Sequence, residues 1–74
     1  MQITAILGGD KLNRIKEIRE KIGMKQMKLA ELANVSQPYL FDLENNRRGA
    51  KPETLQRIAD SLGVTVEDLI KEAS

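Results

Sequence analysis

Apolar positions recur with a helical period along most of the chain, in short runs separated by turn-forming residues. Leu12, Ile15, Ile18 and Ile22 form one stripe, which predicts a helix over Lys11 to Ile22 with Asp10 as N-cap and Gly23 as its stop. Met24 is then a core residue closing the gap to the next helix. Leu29, Ala30 and Ala33 follow at i, i+1 and i+4, and Leu40 and Leu43 begin another stripe at i, i+3. Between these two patterns Asn34 tolerates the left-handed conformation that ends a helix, Val35 plugs the corner, and Ser36 can cap the third helix. Pro52 opens a fourth helix, because its missing N–H is harmless at a first helical position. Leu55, Ile58, Ala59 and Leu62 are its stripe, and Gly63 ends it. Thr65 caps a fifth, with Asp68 three residues on in an imperfect capping box and Val64 and Leu69 in the positions of a hydrophobic staple. Val66, Leu69, Ile70 and Ala73 are its apolar surface. Residues 1–9 have no helical period and end in a Gly pair. Their apolar residues can dock on the domain, pair with a second chain as a short strand, or stay mobile. The organisation expected is therefore an N-terminal segment, 1–9, and one all-α domain, 10–74, a compact bundle of about five helices.

The stretch Gln26 to Asn46 has the layout of a helix-turn-helix, with Ala30 small enough to let two helices cross closely. At Gln26, Leu29-Ala30, Val35-Ser36, Leu40 and Leu43-Glu44-Asn45 the sequence resembles the phage-repressor-like (Cro/repressor-type, xenobiotic-response-element-like) helix-turn-helix family. Lys51-Pro52, Leu55, Ile58-Ala59, Leu62-Gly63-Val64 and Leu69 extend the resemblance over roughly residues 11 to 70. It implies a lambda-repressor-like DNA-binding domain. It also implies that Arg19 pairs with Glu44, late in the third helix, as a partly buried structural ion pair rather than as DNA contacts. Two departures matter. Lys25 stands where the family often has a Ser or Thr cap, so the second helix is expected to fray at its start. Asn46 stands where Gly is commonest, but Asn can adopt the same left-handed geometry, so the turn is expected to survive.

If Leu40 and Leu43 point inward, Gln37, Pro38, Phe41, Asp42 and Asn45 must point out from the third helix, read as Gln37 to Asn45. Gln37 and Pro38 lie in the first turn, the part of a recognition helix that enters the major groove. Gln can bond bidentately to adenine. The Pro38 ring can touch a thymine methyl, and Phe41 can do the same. Alternatively Phe41 folds onto Arg47 or belongs to a protein interface. Asp42 can accept from cytosine N4, or it can repel phosphate and exclude wrong registers. Contacts to phosphate position a protein without reading sequence. Gln26 opens the second helix, where its amide and the free N–H groups can hold a phosphate. Lys25, Ser36, Asn45, Arg47, Arg48 and Lys51 are the other candidates, and the family resemblance implies backbone contacts at Gln26 and around Asn45. Tyr39 either adds a hydroxyl contact to phosphate or packs at the rim of the helix pair.

Charge sharpens this picture only through its distribution. The net charge of the 74 residues is just +1. Residues 11–51, however, hold ten Lys and Arg against five Asp and Glu, a balance of +5, and residues 52–74 hold two against five, a balance of −3. A local basic face matters more for phosphate than the total does, although ordinary solvated helix faces give the same counts. The chain has no His and no Cys, which removes the commonest general base, the thiolate nucleophile and the usual metal ligands. No catalytic site, metal or cofactor is expected. The longest apolar run, Ile3 to Leu7, is too short to span a membrane, and the default compartment is the cytoplasm. No sensor domain follows the motif, so no small-molecule ligand is expected.

The partner expected is double-stranded DNA, bound by a transcriptional regulator, most often a repressor. The alternative is a helix-turn-helix scaffold for protein–protein interaction, an antitoxin-like or adaptor module. One such domain buries only about 600–1,000 Å² on DNA, which favours a homodimer. Ile3 to Leu7 and the fifth helix around Val66, Leu69 and Ile70 are the surfaces available for it. Otherwise both patches close over the domain's own core and the protein pairs only on DNA.

Overall fold

The computed structural model describes residues 13–70. Among them the chain forms five helices and no strand: α1, Ile15–Lys21; α2, Gln26–Ala33; α3, Gln37–Glu44; α4, Pro52–Leu62; and α5, Val66–Ile70. The fold is all-α, and α2 lies at its centre, packed against both α3 and α4. Ile15, Leu29, Leu40, Leu43, Ile58 and Leu69 are its largest fully buried side chains. The small residues Ala30, Ala33 and Ala59 are buried with them and allow α2 and α4 to approach closely.

The first four helices stop by one device. Gly23, Asn34, Asn46 and Gly63 all have positive φ, between 58° and 77°. In each case the next N–H turns back to the carbonyl five residues earlier, as Val35 does to Ala30 and Arg47 to Asp42. Two of the four are Asn, whose short side chain tolerates this conformation. Ala33 O gains a second kind of closure, accepting from Nε of Arg57 on α4 at 2.9 Å. At the other ends, Ser36 Oγ accepts from the Tyr39 N–H at 3.2 Å. Thr65 and Asp68 exchange a reciprocal pair of bonds at 3.1 and 3.2 Å. Lys25 makes no such bond, so α2 starts without a side-chain cap.

The first helix is shorter than its apolar stripe suggests. It begins at Ile15, with Arg14 as its flanking residue; Asp10, Lys11 and Leu12 lie outside the described residues. The reason is Asn13. Its Oδ1 accepts the Ile15 N–H at 3.0 Å, and its Nδ2 donates to Leu43 O at 2.8 Å and to Asn46 Oδ1 at 2.9 Å. A residue engaged in this way cannot continue a helix past itself. Ile22, in phase with the stripe, falls after the last helical residue and is 50% exposed. Leu69 is wholly buried and Val66 packs against the core, so of the apolar residues expected to serve a dimer on α5 only Ile70 faces outward. Ala73 and the segment 1–9 lie outside the described residues.

Asn13 thus ties the start of α1 to the end of α3, three bonds from one amide. Asn13→Ala is expected to lower stability by about 1–3 kcal/mol. Asn13→Asp keeps the oxygen that accepts from the Ile15 N–H but sets a carboxylate against two acceptors, and should lower it further. Urea denaturation midpoints of the two variants check the order.

Candidate nucleic-acid interface

Two of the three helix-turn-helix elements are fixed before any exposed residue is considered. Leu40 and Leu43 anchor α3 in the core, and the left-handed Asn34 sets the angle at which α3 leaves α2. The outward face of α3 follows from that phase. Gln37, Pro38, Phe41 and Asp42 come together with Gln26 of α2 around one open concavity of about 340 Å³. Apolar and polar groups share it: the Pro38 and Phe41 rings beside two amides and a carboxylate. Phe41 is 45% exposed.

Below this face is a buried ion pair. Arg19 Nε donates to Glu44 Oε2 at 2.6 Å and Arg19 Nη2 to Glu44 Oε1 at 3.1 Å, with side-chain exposures of 11% and 1%. Arg19 Nη1 donates in addition to Met24 O at 2.8 Å, fixing the link between α1 and α2. The hydrogen bonds to Glu44 raise the Arg19 pKa above its already high ordinary value, against the opposing effect of burial. The stability this contributes is fully present below the ordinary arginine value and is lost only as pH rises beyond it. The pair therefore stays charged on the arginine side at any working pH.

The ion pair is connected to the surface. Gln26 Nε2 donates to Glu44 Oε1 at 3.0 Å, and Gln37 Nε2 donates to Gln26 Oε1 at 3.2 Å. Gln26 therefore braces Gln37 from below while its own amide is held by the buried carboxylate.

Two arginines that follow α3 stack on its aromatic rings. The Arg47 guanidinium carbon stands 5.6 Å from the Phe41 ring centroid, and that of Arg48 stands 4.5 Å from the Tyr39 centroid. Both contacts are within the range of cation–π attraction and hold the two arginines beside α3. Phe41 thus both lines the concavity and receives Arg47, and Tyr39 packs against the core while carrying Arg48. Asn45 follows the last turn of α3 and returns its Nδ2 to Phe41 O at 2.8 Å. Lys51 precedes α4 and Lys25 precedes α2, both exposed. Sequence reasoning did not find Asn13 or the bond from Gln26 to Glu44, since their partners lie 18 to 33 residues away.

Two short helices crossing at a left-handed corner, with the second held on a buried ion pair and its polar face outward, define a helix-turn-helix domain. The chain belongs to the phage-repressor-like helix-turn-helix family, whose helix-turn-helix pattern it matches over residues 15–69. It is 41% identical over 58 residues to the HTH-type transcriptional regulator DdrOP3 of Deinococcus deserti, covering 78% of this chain and 45% of that protein. It is also 41% identical over 59 residues to the immunity repressor protein of Bacillus phage phi105, covering 80% of this chain and 41% of the repressor. The chain thus spans less than half the length of each of these relatives. Among solved structures, the clp gene regulator ClgR of Corynebacterium glutamicum aligns with a TM-score of 0.76 at 31% identity, over 82% of this chain and 66% of that one. The restriction-modification controller protein C.AhdI of Aeromonas hydrophila shares the fold, with a TM-score of 0.73 at 23% identity over 82% and 88% of the two chains. No described helix is long and apolar enough to cross a membrane.

Proposed function

We propose that this domain binds duplex DNA in a sequence-specific way by placing α3 in the major groove, and that it serves as a transcriptional regulator, most simply a repressor. The observation that carries the reading is the open concavity formed by Gln37, Pro38, Phe41, Asp42 and Gln26, with Arg47 held against its Phe41 and Arg48 on Tyr39 of the same helix. In this reading Gln37 pairs with adenine, Pro38 and Phe41 meet thymine methyls, and Asp42 accepts from cytosine N4 or excludes a wrong register. Lys25, Gln26, Ser36, Tyr39, Asn45, Arg47, Arg48 and Lys51 hold phosphates on either side. The relatives named as a transcriptional regulator and an immunity repressor support it. The domain acts as a homodimer, for which exposed Ile70 on α5 is the described residue left from the apolar surface of that helix. Its chemistry is recognition and not catalysis, and its setting is the cytoplasm.

Selection from random duplex DNA, followed by variants on the winning site, tests the reading. Gln37→Ala should relax preference at one base pair and cost about 1–3 kcal/mol on the best sequence. Arg47→Ala or Arg48→Ala should weaken all sequences alike and make the salt dependence shallower by about one unit of slope. An unchanged sequence preference in Gln37→Ala would mean that α3 is oriented otherwise. Failure to enrich any sequence, with binding insensitive to salt, would favour a protein partner at the Phe41 face instead.

A further inference from the structure

We propose that Glu44, buried and out of reach of DNA, decides whether Gln37 prefers adenine or guanine, by fixing the direction of a hydrogen-bond relay. The inference rests on the reading of Gln37 as a base contact. An amide side chain has a donor end and an acceptor end, and either can face a neighbour. A carboxylate can only accept. Glu44, held by Arg19, therefore obliges Gln26 to turn its Nε2 inward, which leaves Gln26 Oε1 facing out at Gln37. Gln37 must then give one of its two N–H groups to Gln26. What remains on Gln37 is one donor and the acceptor Oε1. Adenine offers N7 as acceptor and N6 as donor in the major groove, whereas guanine offers two acceptors, N7 and O6. One donor and one acceptor match adenine and leave guanine O6 facing an oxygen. The buried charge sets the polarity, Gln26 transmits it, and Gln37 expresses it.

The relay can be reversed by one atom. In Glu44→Gln the new amide must keep an oxygen where Arg19 Nε makes its 2.6 Å contact, the shorter of the two. Its nitrogen then occupies the position of Oε1, facing Gln26, at the cost of the 3.1 Å bond from Arg19 Nη2. Gln26 turns over to accept, presents its nitrogen to Gln37, and Gln37 accepts through oxygen. Both N–H groups of Gln37 are now free, the pattern that guanine O6 and N7 require.

The experiment measures binding of the full chain to two duplexes that differ only at the base pair relaxed by Gln37→Ala, carrying adenine or guanine there. The wild type should favour adenine by roughly 5- to 150-fold. Glu44→Gln should bring the ratio to unity or reverse it. Gln26→Ala, which leaves the ion pair intact and so keeps the fold, should reduce the ratio by about fivefold or more, because the Gln37 amide is then free to turn. An adenine preference of wild-type size in Gln26→Ala overturns the inference, as it does in a folded Glu44→Gln. If Gln37→Ala relaxes no position at all, the reading of Gln37 as a base contact fails first, and the inference with it.

Discussion

Arg19→Met should destabilise the domain by roughly 3–5 kcal/mol, because it strands a carboxylate in the interior. Glu44 has a side-chain exposure of 1% and would keep only the Gln26 amide as a partner. Met24 O would also lose its donor from Arg19 Nη1. A domain of this size has a total stability on the order of 4–11 kcal/mol, so a loss of this size leaves it at the edge of unfolding. Arg19→Met combined with Glu44→Leu should recover much of the loss, since an apolar pair of similar volume removes the stranded charge. Recovery should be incomplete, because Met24 O and Gln26 Nε2 stay without the partners they have now. Thermal and urea unfolding of the three variants measure this directly. A single variant as stable as the wild type would mean that the pair contributes nothing in the native state.

The positions that could be located in the sequence were those whose chemistry is local. Asn34, Asn46 and Gly63 were legible as helix ends because few residues accept a positive φ. Ser36 and the Thr65–Asp68 box were legible because a cap reaches only to its own first turn. Asn13 was hidden because two of its bonds cross 30 and 33 residues. Periodicity alone, with Leu12 and Ile15 three apart, drew the helix through it. Ile22 misled in a related way: its phase is right, but the chain has already turned at Gly23. Thr54, buried at the start of α4, carried no apolar signal at all. The outward residues of α3 followed from the buried phase of Leu40 and Leu43. That Gln26 joins them to the ion pair did not, because nothing in a sequence shows which exposed amide lies above which buried carboxylate.

Salt should change the affinity for DNA steeply, and by an amount that reports assembly. Lys25 before α2, Arg47 and Arg48 after α3, and Lys51 before α4 are exposed cations. With four phosphates neutralised, the slope of log affinity against log salt should be about −3.6, and the loss between 50 and 200 mM salt about 150-fold. A homodimer presents the set twice, so its slope should be near −7 and its loss on the order of 10⁴-fold. Two-fold pairing also places two half-sites about one helical turn apart, ~34 Å, so the selected sequence should be palindromic. The two measurements are independent: one counts charges, the other reads symmetry. A palindrome with the steeper slope supports the dimer. Sedimentation of the free protein then distinguishes a dimer formed in solution from one formed on DNA. An 8.3 kDa monomer with the shallower slope and a single asymmetric site would rule out two-fold assembly. In that case Ile70 is merely an exposed side chain at the end of α5.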